Sequence, residues 1–251
     1  MIFNRKHTTK EKGFTLIEIL IALVIGSIVT GSAYHFFSSQ SRYVLLQLKQ
    51  ANIEQNLRAS IFILEQEIKK IGYNPLQIKG LAAPGIIAAE PGWLTYQADL
   101  NENGSGFNGY GGLSGSIYNN DKDPGETISI GLKKDCYGNG DHDGDGIADT
   151  FPSRLWQETE NHPLVVAENI EVVNFEYLDP AGDVLSQPVT DLTEINQVQV
   201  TIIARAGTPT GGFKNNRTYY NPQGETIFKA PGDSFLRGIV SKTINCRNLR
   251  L

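Results

Sequence analysis

The sequence predicts an α+β fold: a long N-terminal α-helix, membrane span plus amphipathic half, packed on an antiparallel β-sheet head. Three observations predict it. Residues 14–37 form an apolar run in which Glu18 is the single formal charge. From Ser38 to Gly72 apolar side chains recur at helical spacing, and beyond Gly72 several runs are rich in β-branched and aromatic residues.

The apolar run is long enough to cross a hydrocarbon core of about 30 Å at about 1.5 Å per helical residue. An ionised carboxylate in that setting costs about 2.5–3.5 kcal/mol on insertion scales, so Glu18 requires a cationic partner. A signal anchor or a cleaved secretory signal peptide would also place an apolar run after a basic leader. Here the run continues into a patterned helix and does not stop at a small-residue cleavage site. Arg5, Lys6, Lys10 and Lys12 against Glu11 give residues 1–13 a net charge of +3. By the positive-inside rule this leader stays in the cytoplasm, and everything after Phe37 is exported.

In the second half of the helix, Leu46, Ile53, Leu57, Ile61, Leu64, Ile68 and Ile71 fall at steps of three, four and seven, with charged residues between them. No proline interrupts residues 14–72, and Gly72 with Pro75 nearby ends the helix. Such a stripe fits a dimerising coiled coil or a sheet laid against it. The strand-like runs that follow, 93–98, 127–132, 170–178, 198–205 and 239–244, favour the sheet. Asp179 to Asp183 reads as a hairpin connection, and Gly207 to Gly212 as a loop. Residues 99–126 are rich in Asn and Gly and lack the apolar side chains for a core of their own. The predicted organisation is therefore 1–13 leader, 14–37 membrane or filament-core helix, 38–72 amphipathic helix and 73–251 exported β-rich head.

Residues 1–13 hold four of the 22 Lys/Arg and one of the 27 Asp/Glu, so the chain without them has a net charge of −8. That balance argues against nucleic acid as a partner and suits an exported surface that binds cations. Cys136 and Cys246 are the only cysteines. In an oxidising compartment they are expected to pair, which would stabilise the head by about 4–5 kcal/mol in the chain-entropy view; two unpaired thiols are the alternative.

The most specific pattern in the head is Asp141-His142-Asp143-Gly144-Asp145-Gly146-Ile147-Ala148-Asp149. Carboxylates at relative positions 1, 3, 5 and 9, glycine at 6 and a backbone carbonyl at Ile147 match the opening of an EF-hand-type Ca²⁺ loop. Calcium takes six to eight oxygens and would relieve the repulsion among Asp141, Asp143, Asp145 and Asp149, whereas a solvated acidic turn is the plainer reading. Position 12 is Pro152 where an EF-hand has a bidentate Glu, so Asp135, Glu158 or Glu160 must complete the shell. A weaker match begins at Asp99 and ends at Gly104, with a single carboxylate at a ligand position.

Gly13-Phe14-Thr15-Leu16-Ile17-Glu18 after a basic leader resembles the processing motif of type IV prepilins and type II secretion pseudopilins. The close of the helix, Leu64 to Tyr73, together with 167–177 and 243–248, is similar to PilW-type minor pilins and J-type pseudopilins. The resemblance implies a pilin fold, cleavage between Gly13 and Phe14 by a prepilin peptidase, N-methylation of Phe14, and pairing of Glu18 with the N-terminus of a neighbouring subunit. It further implies partnership with other minor and major pilins. The chain is expected in the bacterial inner membrane with a periplasmic head before assembly, and in a pilus at the cell surface afterwards.

Four histidines, His7, His35, His142 and His162, and the lack of a nucleophile elbow, zinc-protease or phosphate-loop motif leave no catalytic constellation. The expected function is a minor pilin of a type IV pilus acting in the initiation or tip complex, without enzymatic activity. The alternatives are a J-type minor pseudopilin of a type II secretion system and a calcium-dependent adhesive tip module.

Overall fold

The computed structural model describes residues 13–75, 84–100, 126–132, 140–159 and 162–249. Helix α1 spans Leu16–Lys70. The chain divides into two compact units at Leu48/Lys49, so the helix contributes to both.

In the first unit the described side chains from 13 to 37 are all exposed, including Leu16, Ile17, Leu20, Leu23 and Phe36. This is the apolar run read from the sequence, and it is long and apolar enough to cross a membrane.

In the second unit α1 buries the predicted stripe from Ile53 on, Ile53, Leu57, Ile61, Leu64 and Ile68, followed by Ile71 just past the helix end, whereas Leu46 lies in the first unit and is half-buried. Burying each such side chain stabilises the fold by about 1.5–3 kcal/mol. The helix stops where Gly72 takes a left-handed φ of 74° and donates its N–H to the Gln97 carbonyl at 3.1 Å. Only glycine enters that region without penalty, and the turn turns the helix end into a contact with a strand.

Ten strands follow. β1 (Ile86–Ala89), β2 (Trp93–Gln97), β3 (Thr127–Leu132), β4 (Arg154–Thr159) and β5 (His162–Glu168) form an antiparallel meander in that order. β6 (Ile170–Leu178), β7 (Gln197–Arg205) and β10 (Arg237–Asn245) form a second antiparallel sheet, with β7 in the centre. β8 (Thr218–Tyr220) and β9 (Thr226–Lys229) make a short hairpin. A single residue, Asn169, carries the chain from the first sheet to the second, and its left-handed φ of 59° makes the corner.

All five predicted strands are present, as β2, β3, β6, β7 and β10. The turn at Asp179–Asp183 closes with Gly182 N donating to Asp179 O, but the chain returns only as far as a bridge from Val184 to Leu178. β7 starts later, after a 3₁₀ turn at Leu192–Glu194.

The helix stripe, the inner faces of both sheets and Cys246 share one core. The outer face of the second sheet is covered by the β8–β9 hairpin, where Val172 and Ile203 meet Tyr219 and Ala230. Polar contacts pin the helix along its length: Asn56 to the Glu168 carbonyl, Lys242 to Glu65 at 2.6 Å, Tyr96 to Glu67 at 2.7 Å and Asn248 to the Lys69 carbonyl. Gly238 on β10 allows the close approach, since a Cβ there would stand 2.7 Å from Ile53 Cγ2.

Candidate functional site

The N-terminal segment is organised by Thr15 and Glu18. Thr15 N–H and Oγ1–H both donate to Glu18 Oε2, at 2.8 and 2.9 Å, and Glu18 N–H donates back to Thr15 Oγ1 at 3.3 Å. This reciprocal capping box fixes where α1 begins. Glu18 is thus a helix cap as well as the single charge of the apolar run, and the Thr-x-x-Glu spacing is the sequence signal for that role. Gly13 and Phe14 precede the box as exposed residues outside regular secondary structure.

The acidic loop is built on Asp141. Its side chain is buried, with Oδ1 accepting from Gly144 N–H at 2.6 Å and Oδ2 from Gly146 N–H at 2.9 Å. Burial raises its carboxyl above the usual range, opposed by those two N–H donors. Asp149 accepts the His142 N–H at 2.7 Å, and that bond holds its carboxyl below the usual range. His142 is exposed, and its ring Nδ1 also approaches Asp149, at 3.2 Å.

Oxygens of Asp141, Asp143 and Asp149 all lie within 4.8 Å of one another. Three carboxylates at that spacing, one of them buried, form a hard oxygen donor set that fits a divalent cation such as Ca²⁺. Asp145 stands apart from this group. Its Oδ1 accepts the Ile147 N–H at 2.7 Å, and both residues line a cleft of about 560 Å³ that also holds Glu176 and Glu225. Of the further candidates, Glu158 sits in β4 opposite Ser129 and Pro163, while Asp135 and Glu160 lie outside the described residues. So does the weaker motif from Asn101 onward; Asp99 itself is buried.

The fold holds this loop firmly. Val173 N–H donates to Gly146 O, Ala148 N–H to Glu171 O, and Ile147 bridges Val172 of β6. Gly146 is packed against Gly92, whose added Cβ would stand 2.6 Å from Gly146 Cα and 2.8 Å from Asp141 Oδ2. Two glycines back to back let the loop and the β1–β2 turn touch through their backbones.

Cys246 is a buried free thiol whose pKa burial pushes up to about 12. Its expected partner Cys136 lies outside the described residues.

Comparison with known proteins bears on the first of these sites. Residues 8–34 match the family described as the prokaryotic N-terminal methylation motif. A match of this kind over the leader junction, followed by one long helix and antiparallel sheets, defines a protein with a prepilin-type N-terminus. The chain carries a prepilin-type methylation motif at its N-terminus. Among solved structures it is similar to a type IV-like pilin from Thermus thermophilus, with 15% identity and a TM-score of 0.40 over 78% of this chain and 97% of that one. No curated protein matches the chain.

Proposed function

We propose that the chain is a minor pilin of a type IV pilus, a structural subunit cleaved between Gly13 and Phe14, methylated at Phe14 and placed in the initiation or tip complex. The observation that carries this reading is the exposed apolar helix with one carboxylate at its start. Residues 14–37 bury nothing against the rest of the chain, and their surface is covered by lipid before assembly and by helices of other subunits afterwards. Glu18 then meets the new amino group of a neighbouring Phe14 through Oε1, which has no hydrogen-bond donor among the described residues, while Oε2 serves the capping box.

The test is to express a Glu18→Ala chain in cells that assemble filaments and to probe sheared filaments by immunoblot. The variant is expected in the membrane, processed and methylated at Phe14 by mass spectrometry, and absent from the filament fraction. Incorporation at the unsubstituted level overturns the pairing.

In the head, the loop from Asp141 to Asp149 takes Ca²⁺ as a structural ion. The supporting observation is the buried Asp141 carboxylate set beside Asp143 and Asp149. Calorimetric titration of the full chain in detergent should show saturable heat with Ca²⁺, and chelator should lower its Tm. Absence of both effects overturns the assignment.

A further inference from the structure

Arg205, at the end of β7, has its guanidinium carbon 3.3 Å from the ring centroid of Phe151 and 4.2 Å from that of Phe235. Its Nε is buried, and among the described residues no group accepts a hydrogen bond from that atom. A buried donor left without an acceptor costs about 1–3 kcal/mol, which makes this a poor end state for the chain alone. The nearby acids do not meet it. Arg237, itself buried, takes Glu171 and Asp233 in bidentate pairs.

Arg205 lines a pocket of about 430 Å³ together with Lys49, Asn52, Gln55 and Asn56 of the helix and with Asn169 at the corner between the sheets. Lys49 donates to the carbonyls of Thr208 and Pro209 and to Thr210 Oγ1, and no described carboxylate pairs with it. The left-handed backbone of Asn169 sets its side-chain amide beside Gly207 at the same pocket. Among these groups Arg205 and Arg237 are balanced by Glu171 and Asp233, and Lys49 leaves one positive charge over. A monoanion closes that balance, whereas a phosphate dianion overshoots it. Arginine's planar fork, with its plane fixed by stacked rings, matches a carboxylate bidentately.

We propose that this pocket binds a carboxylate, gripped by Arg205 and balanced by Lys49, carried either by an acidic side chain of a neighbouring subunit or by a small free acid. The pocket and its chemistry stand on this chain alone; only the neighbouring subunit as a source rests on the assembly reading, and the test below does not depend on it.

The full chain in detergent micelles, uniformly labelled with ¹⁵N, is titrated with N-acetylglutamate amide, N-acetylglutamine amide, acetate and inorganic phosphate. The Arg205 Nε–H resonance, identified by its loss in Arg205→Lys, should move saturably with the capped glutamate and not with the capped glutamine. Arg205→Lys, followed through the backbone amide of Gly207, should weaken binding at least about tenfold, since it keeps the charge and loses the fork. Lys49→Gln should weaken it by about threefold or more, and it carries the test alone if Arg205→Lys lowers the Tm. Acetate binding as tightly as the capped glutamate assigns the site to small free acids, and weaker acetate binding assigns it to an acidic side chain. No saturable shift at about 10 mM carboxylate, an equal response to the capped glutamine, or tighter binding of phosphate overturns the proposal.

Discussion

The two halves of α1 are alike in being rich in apolar residues and opposite in what those residues touch. From Leu16 to Leu45 the leucines and isoleucines are exposed, Leu20 at 51%; after Lys49 the stripe is closed, with Leu64 and Ile68 at 0%. The second half finds its partner within the same chain. The first half finds none among the described residues, and its arrangement as a helix with hydrogen bonds satisfied internally is the form that lipid or other helices accept. The head thus has a core of its own, while the N-terminal half depends on a surrounding that other molecules provide.

Substitution should divide the halves sharply. Leu64→Ala empties a fully buried site and should cost the head about 3–4 kcal/mol in urea unfolding, whereas Leu20→Ala should leave head unfolding unchanged. If the two cost the same, the division into a self-supporting head and a dependent helix is wrong. Tyr96→Phe comes next. It removes the hydroxyl that donates to the buried Glu67, and about 1.5–3 kcal/mol should be lost because the acceptor is charged. Gly238→Ala drives a methyl group into Ile53 and Leu57 and should cost about 1–3 kcal/mol, with circular dichroism showing the helix retained.

The smallest effect is a pH dependence. Lys242 and then Lys69 hold the Glu65 carboxyl down to about 2, against an ordinary value of 4.5. Because the folded value is depressed, the stabilisation is full above 4.5 and disappears as pH falls through about 2. The gap in urea midpoint between the native chain and Lys242→Met should therefore shrink across that window, and it should be modest because the pair is exposed to solvent. A gap that is constant in pH would place the role of Lys242 in packing of its stem alone.

What could be read in the sequence follows how local each feature is. The helix stripe declared itself because its period is 3.6, and β2, β3, β6, β7 and β10 because they carry Val, Ile and aromatic residues in runs. β4 escaped notice since Leu155 is its one fully buried side chain, and β5 because it opens with His162-Pro163 and leaves Leu164 exposed. β1 is half alanine, and β8 and β9 are three and four residues long, too short for any period. The acidic loop was visible in its spacing, but the separation of Asp145 from the other carboxylates was not, because it follows from the loop's seat on Gly92 and Val173. The Arg205 pocket joins residues from three distant parts of the chain, which no local pattern announces.

The close of the helix has a mechanical consequence. The stripe from Ile53 to Ile71 lies lengthwise on the sheets, and the last turn is fastened by Gly72 to Gln97, Asn248 to Lys69 and Lys242 to Glu65. A pull along α1 from its N-terminal side loads these contacts in shear and shares the force among them, so no single one yields first. Pulling the head sideways off the helix would instead open the same contacts one after another at lower force. A head built this way resists tension along its own helix, the load the proposed filament subunit would carry, better than peeling.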